Sequence, residues 1–350
     1  MDGYLLLADG LRLDGTLRGA ATSAVGWVTA NTSVVGFQEM VTDPAYKGTM
    51  LGFTYPEVGA VGAAERFSES ADVQAAAVLV KVLSEFRSHY LAEEDFEDLL
   101  EAAGVPCLCD VDTRGLAVHL REEGEMAAAV APAGTDPDEM QAQLEGFGRP
   151  AFNASEPPEA PGGEAGPHVT VLNLGVRASH LRQLARCCRT TVLPHDAFPE
   201  QIMDAGPDGL FISDGPAAGF PPDGTVETIR SLAGKVPILA CGLGNVALGL
   251  ALGCDATFLP RGHHAANCPV RNVQEDEVGV THQRHSVVLD RDSVEASDEV
   301  DLLWENMNDG TVEGIRAAAM NATGLQDILP APSPGRINAR IQSFVDALSA

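Results

Sequence analysis

The spacing of apolar and polar positions changes character part-way along this chain. From residue 168 onward, short unbroken apolar runs alternate with helix-like segments: 169–174 (VTVLNL) before 177–187, 190–194 (TTVLP) before 198–204, 209–214 (GLFISD) before 224–233, and 236–241 (VPILAC) before 243–252. Unbroken apolar runs suit strands buried on both faces, and strands alternating with helical segments predict a parallel sheet covered on each side. The first part is less regular, with β-type runs at 4–8 and 26–30 and helix-like patterns at 93–103 and 113–123. Between them, 150–167 (PAFNASEPPEAPGGEAGP) gathers Pro, Gly and acid without a period and reads as a linker. The expected fold is therefore α/β in two domains: a smaller β/α domain over 1–149, the linker over 150–167, and a doubly wound domain over 168–350.

In such a sheet, ligands lie off the carboxyl ends of the strands. Ser213-Asp214-Gly215-Pro216 falls at one such end, and Cys241-Gly242-Leu243-Gly244 at another, within KVPILACGLGNVALGLALG (235–253). A strand, a glycine-rich turn and an apolar helix suit two different kinds of site. One is a nucleophile elbow, with a Ser or Cys at the apex among small residues. The other is a dinucleotide fingerprint, since Gly242 to Ala247 spells G-x-G-x-x-A. The fingerprint fits poorly, because it follows the first strand of its unit and has an acid about 20 residues on. Here the motif follows the fourth strand, and Asp255 comes too early.

Charge narrows the function classes. The chain of 350 residues holds 50 Asp and Glu against 22 Lys and Arg, a net −28, and its only lysines are Lys47, Lys81 and Lys235. So acidic a surface repels nucleic acid and anionic membrane, so neither is expected as a partner. Acids spread along the whole chain point to adaptation to high salt. Seven cysteines (107, 109, 187, 188, 241, 254, 268) show no zinc spacing, and the start MDGYLLLADG has no basic leader. With no apolar run of transmembrane length, a soluble cytoplasmic protein is expected, without metal or cofactor.

Longer strings carry a family likeness. SAVGWVTANTSVVGFQEMVTDPAY (23–46), FTYPEVGAVG (53–62) and DVDTRGLAVHLREEG (110–124) resemble the N-terminal domain of the glutamine-hydrolysing small subunit of carbamoyl-phosphate synthase. ISDGPAAG (212–219) stands where that family has a Ser-Asn-Gly-Pro-Gly loop, and RGHHAANCPV (261–270) where it has Gly-His-His-Gly-Gly-Asn-His-Pro-Val. The resemblance implies a class I glutamine amidotransferase domain, whose Cys–His–Glu triad releases ammonia for a large subunit that makes carbamoyl phosphate. It also makes the turn at 242 an elbow.

The same comparison shows what the chain lacks. The family's elbow reads Gly-Ile-Cys-Leu-Gly-His, which puts Gly242 at the nucleophile position; glycine has no side chain to attack an amide. Cys241 is one place early, and an apex there would set Leu239 and Leu243 where small residues are needed, so a buried inert thiol is the simpler reading. The family's His and Glu lie in a Gln-Gly-His-Pro-Glu segment. Here GLQDILPAPSPG (324–335) places Ile328 and Pro330 at those positions, and the last histidine of the chain is His285. By resemblance, Ser33 and Gly215 match glutamine-holding positions and Leu243 an oxyanion-hole position, but the pocket is eroded at Val246, at Ala217 and along Gln283–Val287. His263, His264, His282 and His285 have histidine counterparts in the family without metal, so a structural role is expected of them. The expectation is a pseudo-glutaminase that partners the large subunit. The alternatives are an active glutaminase using Cys241 or a base recruited from elsewhere, such as His263 or His285, and a paralogue that binds another ligand. A cysteine restored at 242 would be expected to have a low pKa at the N-terminus of the following helix.

Overall fold

The computed structural model describes residues 1–156, 162–163, 165–333 and 335–349. Residues 157–161 and 164 of the expected linker, together with 334 and 350, lie outside the described residues. By contact the chain divides into two units, one of Met1–Ala151 with Pro260–Ala265, the other of Phe152–Leu259 with Ala266–Ala350.

In the first unit, strands close into a barrel in the order Asp2–Leu7, Arg12–Gly19, Pro106–Cys109, Ala77–Leu79, Thr49–Phe53, Ala24–Asn31 and Met126–Pro132, the last pairing back on the first. Side chains alternate across a strand, so Thr49–Phe53, Ala77–Leu79 and Pro106–Cys109 each feed two apolar clusters. Leu108 joins Leu5, Leu7, Val28, Met50 and Leu79 in one cluster. Cys107 and Cys109 join Leu51, Phe53 and Val78 in the other.

The second unit is built on one nine-stranded sheet. Arg189–Pro194, His168–Asn173, Gly209–Ile212, Ile238–Cys241 and Ala322–Leu325 run parallel in that order. The apolar runs of Gly209–Ile212 and Ile238–Cys241 are unbroken because both faces are covered. Ile238 and Ala240 pack with Val226, Ile229, Leu232, Val246 and Leu248, from the helices Asp223–Leu232 and Leu243–Ala251. Leu239 and Cys241 pack with Leu181, Leu184, Ile341 and Val345, from Ala178–Leu184 and Ala339–Leu348. The doubly wound expectation holds for these strands.

Beyond Ala322–Leu325 the sheet turns antiparallel, through Val312–Ala317 and Asp301–Asn306, toward the long strands Ala256–Asn272 and Glu277–Leu289. No strand was legible there, because the segments mix polar and apolar residues without a clean period. The strand after His168–Asn173 lies on one side of it, while Gly209–Ile212 and Ile238–Cys241 continue on the other. That reversal makes a crevice at the carboxyl ends of His168–Asn173 and Gly209–Ile212, the place where α/β sheets hold ligands. Asp214 lies just past the end of Gly209–Ile212.

Candidate functional site

The strand Ile238–Cys241 ends at Gly242, and the helix Leu243–Ala251 begins on the next residue. Gly242 has φ 53 and ψ −122. A positive φ with that ψ is adopted freely by glycine and at a cost by any other residue. The turn is sharp because the helix lies hard against the neighbouring strand: a Cβ on Gly244 would sit 2.6 Å from the Ile212 carbonyl oxygen and 2.7 Å from that of Ser213. The helix is apolar nearly all round and buried from Leu243 to Gly249, as a helix hydrophobic on every face must be.

At the apex no side chain projects. Instead, the carboxylate of Asp214 reaches in from the neighbouring strand end. Its Oδ1 accepts the Gly215 N–H at 2.8 Å and the Leu243 N–H at 2.8 Å. A Cβ built on Gly242 would lie 1.9 Å from that same Oδ1 and 2.2 Å from Asp214 Cγ. Burial pushes the Asp214 carboxyl up to about 6, against the two N–H bonds and the Arg177 charge, which pull it down. A side chain at 242 therefore fits only once the Asp214 carboxylate shifts away.

Cys241 is fully buried and belongs to the core on the far face of the sheet, with Leu239 and Leu325. Burial first, and the Asp214 charge second, drive its thiol well above its ordinary pKa. A thiolate there is strongly disfavoured.

The segment matching the family's His and Glu is held by its carbonyls. Ile328 is buried, and its oxygen accepts His180 Nε2–H at 2.6 Å and Arg177 Nη1–H at 3.3 Å. Gln183 donates to the Leu329 carbonyl at 3.2 Å, and Asn338 to that of Pro330 at 2.9 Å. Leu329 takes a φ of 48 with its side chain in the core. Neither Ile328 nor Pro330 offers a group that can move a proton.

Of the residues matched to glutamine-holding positions, Gly215 and Leu243 meet on Asp214, while Ser33 belongs to the first unit and donates its N–H to Asn31 Oδ1 at 2.8 Å. His285 and His282 lie in Glu277–Leu289; His285 Nε2 is 3.9 Å from Glu313 Oε2, and burial holds His282 below its ordinary pKa. His264 belongs to the first unit and pairs with Glu125 at 3.1 Å.

Sequence reasoning missed the carboxylates. Asp214 stands where the family's loop has asparagine, and that departure was the available signal. Its partner Leu243 is 29 residues on, so the meaning of the change appears only once the strands are side by side. Asp327, in the segment of the missing base, is half-buried, and desolvation pushes it up to about 6, although the N–H groups of His282 and Leu329 pull it down.

A twisted parallel sheet wound on both faces, with a strand–glycine–helix turn and two N–H groups converging at its carboxyl edge, has the form of a class I amidotransferase domain. The family profiles agree: residues 5–130 match "Carbamoyl-phosphate synthase small chain, CPSase domain" and residues 171–326 match "Glutamine amidotransferase class-I". The carbamoyl phosphate synthase small chain of Methanopyrus kandleri is 38% identical over 325 residues, covering 90% of each chain. The pyrimidine-specific small chain of Lactiplantibacillus plantarum is 34% identical over 100% of this chain and 97% of that one. The arginine-specific small chain of Halalkalibacterium halodurans is 32% identical over 100% and 98%. The chain belongs to the carbamoyl-phosphate synthase small-chain family.

Proposed function

We propose that this protein is a small chain that no longer hydrolyses glutamine and acts as the partner of a carbamoyl-phosphate synthase large chain. The observation that carries the reading is the apex itself: Gly242 keeps the backbone of a nucleophile elbow and presents no nucleophile. Acyl transfer from an amide needs an attacking group and a proton donor for the departing ammonia. The turn supplies neither, and triad members act as a unit, so three absences together remove the reaction.

The rival in which Cys241 attacks is opposed by its complete burial and its raised pKa. The relatives' names place them in pyrimidine-specific or arginine-specific carbamoyl phosphate synthesis, and a cytoplasmic role in one of those supplies is the natural extension to this chain. Its partner then draws ammonia from solution or from another chain. The linker over 150–167 is proposed to join the two working parts, and the acid excess to be an adaptation to molar salt.

The test is glutamine hydrolysis by the full chain, alone and with a large chain, at low and at molar salt. A rate equal to the buffer control is expected, together with co-elution of the two chains on size exclusion. A glutaminase rate that Cys241→Ser abolishes would establish the rival, and failure of the full chain to co-elute with any large chain would end the partner claim.

A further inference from the structure

Two backbone N–H groups aimed at one oxygen form the arrangement that stabilises an oxyanion. In this turn the oxygen is supplied from within, as Asp214 Oδ1 takes both the Gly215 and the Leu243 N–H. The Leu243 N–H is also the first of a nine-residue helix, where the helix dipole favours negative charge. The arrangement is not that of an ordinary cap, because the second oxygen of the same carboxylate, Oδ2, is buried without a hydrogen-bond partner among the described residues. Asp214 is 2% exposed, so the carboxylate is held away from water with half of its acceptors unused, and that is unfavourable. Position 242 shows how the carboxylate comes to fit. The space a Cβ would take is already filled by Asp214 Oδ1 and Cγ, at 1.9 and 2.2 Å.

We propose that Asp214 is a resident anion that stands in the oxyanion position of the elbow, admitted by the missing side chain at 242, and that it closes this pair of N–H groups to any carbonyl or carboxylate ligand. The inference deepens the pseudo-glutaminase reading and rests on it only in taking the turn for an elbow. Its consequence is specific. The turn keeps the shape of a loaded site, and Gly242 and Asp214 are a matched pair: a side chain at 242 requires Asp214 to give way.

The matching is tested by a double-mutant cycle of Gly242→Ala and Asp214→Ala, read by denaturant unfolding. The backbone strain at positive φ is common to both backgrounds, so the coupling isolates the collision. Gly242→Ala is expected to lower the folding equilibrium constant at least tenfold more in the parent than in the Asp214→Ala background. The second reading uses Asp214→Ala alone, which leaves two N–H groups facing a vacated carboxylate-sized space. Sodium formate is expected to raise the melting midpoint of that variant above the value in sodium chloride of equal ionic strength, and to leave the parent unchanged. An additive cycle overturns the proposal, as does formate that acts no differently from chloride on the variant. Where Gly242→Ala folds in neither background, the formate comparison decides. A glutaminase rate in the parent would defeat the function proposed above without touching this cycle, and an additive cycle would defeat the resident anion alone.

Discussion

Two buried polar regions of this molecule are built on opposite terms. In the barrel unit, Glu125 Oε1 accepts Thr29 Oγ1–H at 2.6 Å and the Gly262 N–H at 3.2 Å, and lies 3.1 Å from His264 Nε2. Tyr46 Oη then stands 3.3 Å from His264 Nδ1 and accepts Asn31 Nδ2–H at 3.1 Å, while Asn31 Oδ1 takes the Ser33 N–H. Each link is buried and each has a partner. At the elbow the backbone frame is just as closely specified, but polar atoms are left over: Asp214 Oδ2 and both side-chain polar atoms of Asn245 are buried without partners among the described residues. A polar network with every member satisfied specifies a core, whereas buried polar atoms without partners cost stability and call for a specific role. The barrel region is a satisfied network, and the elbow is a specified frame with polar atoms to spare.

The contrast is broken most directly by removing Glu125. Glu125→Leu takes a partner from the Thr29 hydroxyl, the Gly262 N–H and His264 Nε2 at once, all within the first unit. Breaking a buried pair from one side costs about 3–5 kcal/mol. A fall of that size in the unfolding free energy is expected from urea titration followed by circular dichroism. A fall under about 1 kcal/mol, the scale of a single ordinary hydrogen bond, would show that the network is not the specified core described here.

Much of this was legible in the chain, and the rest was hidden for definite reasons. The strand at Ile238–Cys241 and the helix after it were readable because burial on both faces writes an unbroken apolar run. The helix Thr113–Glu123 was readable to the residue, with Asp112 capping the Gly115 N–H and Gly124 ending it. The antiparallel half of the sheet was not, since Ala256–Asn272 and Glu277–Leu289 mix buried and exposed positions irregularly. At the site, the missing side chain at Gly242 was plain from the motif. The use made of the empty space was not, because it depends on where Asp214 points. The barrel network was equally hidden: Glu125 and His264 are far apart in sequence, and Glu125 has the look of an ordinary surface acid following Glu122 and Glu123.

The comparison is sharpened by pH. Asp214 and Asp327 both sit near 6 in the folded second unit, raised mainly by burial from an ordinary value of 3.8. A carboxyl whose pKa rises on folding favours the folded state when protonated. That stability is fully present below the unfolded pKa and is lost as pH rises through about 6. The unfolding free energy should therefore be greater at pH 5 than at pH 7, by roughly 1 kcal/mol for each group. Repulsion within the net −28 surface acts in the same direction but is screened by salt, so the measurement belongs in molar salt, where the buried contribution persists. Asp214→Asn and Asp327→Asn should each remove about half of the slope. A profile that is flat between pH 5 and 7 in molar salt would mean that these carboxyls titrate as ordinary surface groups do.

The smallest effect is the one that separates the two regions by sign. Asn245 lies in the first turn of the elbow helix, is fully buried, and has neither its Oδ1 nor its Nδ2 paired among the described residues. Replacing an unpartnered polar group by an apolar one of similar shape removes a desolvation penalty and leaves no donor or acceptor stranded. Leucine has nearly the same outline as asparagine and a better helix propensity. It must still share space with the backbone of Gly324, where a Cβ would meet Asn245 Oδ1 at 2.3 Å, so the gain is limited by packing. Asn245→Leu is therefore expected to be neutral or to stabilise by up to about 1 kcal/mol, where a deletion in the Glu125 network destabilises. Urea midpoints of the parent and Asn245→Leu, taken side by side, decide it. A loss above about 1 kcal/mol would show that Asn245 is held by a partner in solution, and would put the elbow in the same class as the barrel network.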